Sequence, residues 1–318
     1  MDDLPPVGAR VVVRYRLPEG YAQPLTDVIG ELLDTDPVTV RTTAGEVVAV
    51  QPDQVYAMKA LGPRPIRTAD IRALESAAAD AWPGSEHDWI DGWLVRAGYG
   101  YTNRANSAVP LGNPGGIATT AASTVDAIAG WYTERDLTPT LVLPDRMVPI
   151  PPGWRTYGET QVLAVDLDTV VLPEGPSIVP VDTVPTRSWV DVFAGYDPRV
   201  DKSAATLEVL SAVRNGLLGF ASLGGIPPLA IARGAVTDAP GGRRWVGLSG
   251  VHVAPAHRRN GLGTLIGAEV LRWARTHGAT HAYAQVAVDN AGALDMYRAL
   301  GFVEHHRYRY TMPPGANT

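Results

Sequence analysis

The 318-residue chain has no cysteine, which excludes a thiol nucleophile, cysteine-ligated metal and disulfide staples. The absence says nothing about redox compartment. No apolar run approaches the roughly 20 residues of a membrane span, so no membrane partner is expected. The opening Met1-Asp2-Asp3, followed by Pro5-Pro6, lacks the basic start and apolar core of a secretory signal, and a cytoplasmic location is the expectation. The 7 histidines show no metal spacing, so no metal is expected, and His305-His306 reads as an exposed strand pair. No Gly-Lys-Ser/Thr is present to make a Walker A loop.

What is present is ordinary globular composition, 45% hydrophobic and 19% charged, at a length that suits two or three domains. The net charge of −6 is unevenly spread: residues 176–318 carry +4 and the rest −10. A polyanionic ligand suits the basic third, a cationic amine suits acidic surroundings, and nucleic-acid binding at the N-terminus is disfavoured.

The most informative stretch is His257 to Thr264, H-R-R-N-G-L-G-T, directly after the apolar run W-V-G-L-S-G-V-H-V. A strand that breaks into glycine-rich backbone and then opens a helix gathers unpaired N–H groups at the positive end of a helix dipole, where a pyrophosphate is favoured. Gly261 and Gly263 permit close approach, and Arg258 and Arg259 add charge. Gly267 comes one residue too late for the dinucleotide fingerprint G-x-G-x-x-G. Downstream, the pattern predicts a helix over Leu262 to His277, a strand over His281 to Val288 and a second helix starting at Asn290, with Tyr297 inside it and Gly301-Phe302 at its end.

Three elements in this order, V-H-V-A-P, then R-x-x-G-x-G at Arg258 to Gly263, then N-x-x-A-x-x-x-Y-x-x-x-G-F from Asn290 to Phe302, resemble the GNAT superfamily of acetyl-CoA-dependent N-acetyltransferases. The resemblance implies that the backbone of Val251, His252 and Val253 holds the pantetheine arm of acetyl-CoA. It implies a pyrophosphate cradle from Arg259, Asn260, Gly261, Leu262, Gly263 and Thr264, beside Arg258. Asn290 would contact the pantetheine region, and Tyr297 would lie near the thioester sulfur as general acid.

The fold class expected is α/β (α+β). A small all-β unit comes first, with strands at Arg10 to Tyr15, Asp27 to Leu33, Val38 to Thr43 and Glu46 to Val50, similar to a Src-homology-3-like barrel. Pro63 to Pro65 marks a linker. Residues 63–175 alternate helix and strand, with helices over Ala69 to Trp82 and Thr124 to Arg135 and strands over Gly92 to Gly98, Ala105 to Leu111, Pro139 to Leu143 and Gln161 to Asp166. They resemble a degenerate GNAT half, because the loop Gly112 to Gly116 lacks arginine and contains Pro114. Residues 176–318 match the whole GNAT order, from an opening strand at Ser177 to Val181 through helices at Ser188 to Phe193 and Ala204 to Arg214. The domains expected are therefore 1–62, 63–175 and 176–318, the last binding acetyl-CoA.

The reaction implied is direct acetyl transfer to a primary amine, either a protein (histone-type) lysine or a small molecule such as an aminoglycoside, polyamine or mycothiol-like precursor. A non-catalytic acetyl-CoA-binding scaffold is a further alternative. The general base is open: His252 is one candidate, and Asp191, Asp197, Asp201 and Glu208 are others. Arg104 and Asn106 are candidates to reach the cleft from the middle region.

Overall fold

The structure is a computed structural model, and it describes residues 4–42, 44–62, 65–112, 116–172, 177–196 and 203–316. The chain divides into two compact units, Met1–Pro65 and Ile66–Thr318. In the first, β1 (Arg10–Arg16), β2 (Leu25–Thr35), β3 (Val38–Thr42), β4 (Val47–Val50) and β5 (Val55–Ala60) form an antiparallel sheet in the order β4-β3-β2-β1-β5. Alternation along the strands turns Val11, Val13, Val28, Leu32, Val38, Val40 and Val50 into one core. Strand β5 was not readable locally, because most of it is exposed and its pairing partner β1 lies about 40 residues upstream.

The second unit opens with α1 (Thr68–Ala81), the hairpin β6 (Glu86–Ile90) and β7 (Trp93–Ala97), α2 (Ala122–Thr133), β8 (Leu141–Pro144) and β9 (Arg155–Asp166). It continues through β10 (Val181–Asp182), α3 (Arg187–Tyr196), α4 (Ala204–Leu210), β11 (Leu217–Leu223), β12 (Ala230–Asp238) and β13 (Arg244–Val253). Last come α5 (Leu262–Thr276), β14 (His281–Ala287), α6 (Ala291–Ala299) and β15 (Val303–Met312). One sheet of eight strands runs β10-β11-β12-β13-β14-β9-β15-β8. Residues 63–175 and 176–318 therefore share a sheet: β9 lies between β14 and β15, and β15 lies between β9 and β8. Each half completes its sheet with the other's last strand.

Helices cover both faces of that sheet. Ile266, Val270, Leu271 and Ala274 of α5 pack with Val246 and Leu248 of β13, while Leu74 and Ala78 of α1 pack with Trp245 on the other side. Neighbouring strand residues facing opposite ways are what the two-residue period requires.

Three local expectations are corrected. Ala105 to Leu111 is not a continuous strand: it follows a single 3₁₀ turn (Asn103–Ala105) and makes isolated bridges at Ala108 and Val109. The opening strand at Ser177 to Val181 shrinks to Val181–Asp182. His305 and His306 are not an exposed pair, because β15 is an interior strand facing α1. His306 Nε2 lies 2.9 Å from Glu75 Oε1, and the two Nδ1 atoms are 2.8 Å apart. Among the described residues no helix is long and apolar enough to cross a membrane, and no group of His, Asp and Glu could hold a metal ion.

Candidate active site

The site begins where two parallel strands part. Strands β13 and β14 pair from Trp245↔His281 to Leu248↔Ala284 and then separate. On its other edge β13 carries a bulge: Ile231↔His252 and Arg233↔Ser249 leave one extra residue on β13, and Gly250 sits there with φ +59°. A bulge of this kind re-aims the strand, so that Ser249 to Val253 border a cleft instead of continuing the ladder with β14.

Helix α5 starts at the far end of β13. Gly261 is its N-cap, in the left-handed region at φ +76°, and no side chain caps the helix. Arg259 also has positive φ, at +64°, an arrangement that turns successive N–H groups toward one side. No acidic residue occupies the first turn. The early N–H groups of the helix thus face the cleft with no intrahelical acceptor. Gly263 sits close to α6: a Cβ there would come within 2.8 Å of Met296 Sδ and push that side chain aside. The start of α5 lies against the middle of α6 at this bare residue.

The resulting cleft has a volume of about 970 Å³. Its walls include Val251, His252, Val253, Arg258, Arg259, Gly261, Leu262, Gly263, Thr264, Asn290 and Tyr297. Asn260 lies in the same loop but is not among the residues lining the cleft. Arg258 folds back, its Nε donating to Val253 O at 3.1 Å. Asn290 caps α6, its Oδ1 accepting from Ala293 N at 3.1 Å. Tyr297 is almost wholly buried, 5.2 Å between ring centroids from Phe302. Burial pushes its phenol above the ordinary value, and the Arg104 charge pulls weakly the other way. Tyr297 therefore keeps its proton throughout the neutral range. His252 is shifted down, first by burial and then by Arg258, so it is neutral at pH 7.

Other candidates are sorted by position. Arg104 does reach the cleft, where its Nε donates to Gln285 Oε1 and its Nη2 to Gln285 O, both at 2.9 Å. Asn106 turns inward instead, accepting from Gly98 N and Gly100 N and donating to Gly98 O and Thr102 O. Asp191 and Glu208 are exposed and are not cleft-lining, and Glu208 accepts from Tyr99 Oη. Asp197 and Asp201 lie outside the described residues. Trp82, Tyr101, Phe193, Gln285 and Asp295 also line the cleft. Asp295 lies within the Asn290 to Phe302 element, and no local motif marks the other four, which chain segments far apart in sequence bring together.

The fold has solved counterparts. A GCN5-related N-acetyltransferase from Kribbella flavida superposes with a TM-score of 0.55 at 20% identity, covering 79% of this chain and 98% of that one. A family model described as the C-terminal region of the probable histone acetyltransferase Rv0428c matches residues 68–311, and one described as the Rv0428c N-terminal Sm-like domain matches residues 5–59. The chain belongs to this family of GNAT acetyltransferases. Its relative in Mycobacterium tuberculosis, the probable histone acetyltransferase Rv0428c, is 41% identical over 308 residues, spanning 96% of this chain and 95% of that protein. The N-acetyltransferase YobR of Bacillus subtilis is 27% identical over 268 residues, 76% of this chain and 98% of that one. The chain is thus an acyltransferase with a small Sm-like unit ahead of a mixed-sheet GNAT unit, and the cleft between β13 and β14 lies at the splayed strands of that unit.

Proposed function

We propose that this protein moves the acetyl group of acetyl-CoA directly onto a primary amine within the β13–β14 cleft. The observation that carries the reading is the joint opening of two features onto one cleft: the uncapped start of α5 and the buried phenol of Tyr297. The residues fit acetyl-CoA. The first-turn N–H groups suit a diphosphate, Gly261 has open space where a Cβ would stand, and the buried Ser249 hydroxyl beside the cleft has no partner among the described residues. Bound acetyl-CoA would supply the activated acetyl group and a thiolate leaving group.

Each residue then has a task. Gly261, Leu262, Gly263 and Thr264, with Arg259, bind the diphosphate through backbone N–H groups and charge. The splayed edge at Val251, His252 and Val253 orients the pantetheine amides as a strand would. Asn290, its Oδ1 engaged as a helix cap, offers its amide nitrogen. Tyr297, held protonated by burial, is the general acid for the departing sulfur. The division into a degenerate half, residues 63–175, and a cofactor half, residues 176–318, belongs to the same proposal.

The name of the Mycobacterium tuberculosis relative supports a protein lysine as acceptor. A second reading, a compact amine, is favoured by the aromatic residues Trp82, Tyr101 and Phe193 on the cleft wall. Coenzyme A release measured over a panel of peptides and small amines tests the proposal. Release that depends on an amine is expected; acetyl-CoA binding with no release on any amine would leave only a cofactor-binding scaffold.

A further inference from the structure

The apex of the cleft is built by both halves. Gln285, the first residue of β14 beyond its last parallel pair, is clasped by Arg104 from the segment between β7 and α2. Around it stand Trp82 from the end of α1, Tyr101 from the same segment as Arg104, and Phe193 from α3, all buried yet lining the cleft. Behind Trp82 lies a second cation: the Arg233 guanidinium is 4.0 Å from its ring centroid, donating to the carbonyls of Leu210, Ala81 and Ala212.

The charges facing this apex are mostly of one sign. Among the described lining residues the single carboxylate is Asp295 on α6, 3.5 Å from Arg298. The carboxylate of Glu75, which with Arg104 lines a small cavity of about 10 Å³, is 2.9 Å from His306. From β13 the facing group is His252, and from α6 the phenol of Tyr297. A protonated amine entering here meets the Arg104 guanidinium and aromatic walls, with Arg258 and Arg259 elsewhere on the cleft wall and Arg233 behind Trp82, and the His252 imidazole is made a weaker base by burial and by Arg258.

We infer that the acceptor is an α-amino group on an aromatic or apolar residue, taken as the neutral amine against Trp82, Tyr101 and Phe193, in preference to a lysine side chain. The inference rests on the acetyltransferase reading above and narrows its substrate. An α-amino group has a reference pKa of about 7.7–8.0 and supplies a large neutral fraction near pH 7.5, whereas a lysine amine, at about 10.4, supplies roughly one part in a thousand. A site with the Arg104 guanidinium on its wall favours the first and discriminates against the second. Such a group could head a peptide or a free amino-acid derivative.

Rates of coenzyme A release from the full-length chain, measured from pH 6.5 to 10, test this. The acceptors are phenylalanine amide, a phenylalanine-headed peptide without lysine, and an α-blocked peptide with one lysine. The α-amines are expected to exceed the lysine peptide at least tenfold in kcat/KM at pH 7.5 and to level off near pH 8. Activity on the amide alone identifies a small-molecule acceptor, and equal activity on the headed peptide identifies a peptide terminus; both support the inference. Arg104→Gln should move the rising limb of the kcat profile to higher pH, with Arg104→Lys restoring it. A lysine peptide preferred at pH 7.5 in the unaltered protein overturns the inference but leaves acetyl transfer intact. No release on any amine, with acetyl-CoA bound, overturns the reading beneath it.

Discussion

Two passages of the second unit pair a strand-like segment with a following helix, and the later one opens onto a cleft. In the earlier passage Ala108 bridges Leu141 of β8 in parallel, as β13 does with β14, and the chain turns past Gly112 and Gly116 toward α2. There Trp93, Ala118, Ile128, Tyr132 and Leu141 close into an apolar cluster. The Tyr132 hydroxyl accepts from Arg96 N at 3.3 Å and donates to Arg96 O at 3.1 Å, while the buried Arg96 side chain donates to Trp82 O and Ser107 O. In the later passage a bulge at Gly250 and positive φ at Arg259 and Gly261 leave the corresponding backbone open. The start of α2 is without a side-chain cap, as is that of α5, so what separates the passages is the bulge and the positive-φ turn that open the later one.

The sharpest break between the passages should come from Tyr297→Phe. We expect kcat to fall about 100-fold, within the usual range for a lost acid–base group, with acetyl-CoA affinity by calorimetry unchanged within about twofold. An equal loss in both would reassign Tyr297 to packing.

Gly261→Asp should weaken acetyl-CoA binding more than about tenfold by setting a carboxylate at the positive end of α5. The matched change Gly116→Asp in the closed passage, at φ +120° with open space around it, should cost about 1 kcal/mol of stability through backbone strain and leave affinity alone. Equal effects on affinity would erase the contrast between the loops.

Those two contrasts were partly legible in the sequence. The order of apolar run, arginines and spaced glycines located the loop, and Asn290 and Tyr297 stood at helical spacing from one another, because cradle and helix are local features. The exchange of β9 and β15 was not legible, since strand pairing across more than 100 residues leaves no periodic trace. For the same reason the aromatic apex was missed: Trp82, Tyr101 and Phe193 look like core positions until the fold places them on one wall. The Ala105 to Leu111 segment read as a strand because it is apolar, and its burial comes from side-chain packing more than from a ladder.

The seam between the halves offers a pH test. Burial, reinforced by His306, holds the His305 imidazole down at about 4, against an ordinary value of 6.5. The unfolded chain therefore takes up a proton at a higher pH than the folded one. The stability from neutral His305 is complete above about pH 6.5 and is lost as pH falls toward 4, by on the order of 3 kcal/mol. His305→Phe should flatten this acid limb in thermal melts; an unchanged limb would remove His305 as its source.

Tyr132→Phe should have the smallest effect, about 1 kcal/mol of stability from a lost buried hydrogen-bond pair, with kcat and acetyl-CoA affinity unaltered. A kinetic change would mean that the closed passage takes part in catalysis.

The most direct test is a crystal structure with acetyl-CoA bound. The diphosphate should accept hydrogen bonds from the backbone N–H groups of Gly261 to Thr264, with the thioester sulfur beside the Tyr297 hydroxyl. A diphosphate seated away from the start of α5, or a thioester remote from Tyr297, would contradict the assignment of this cleft.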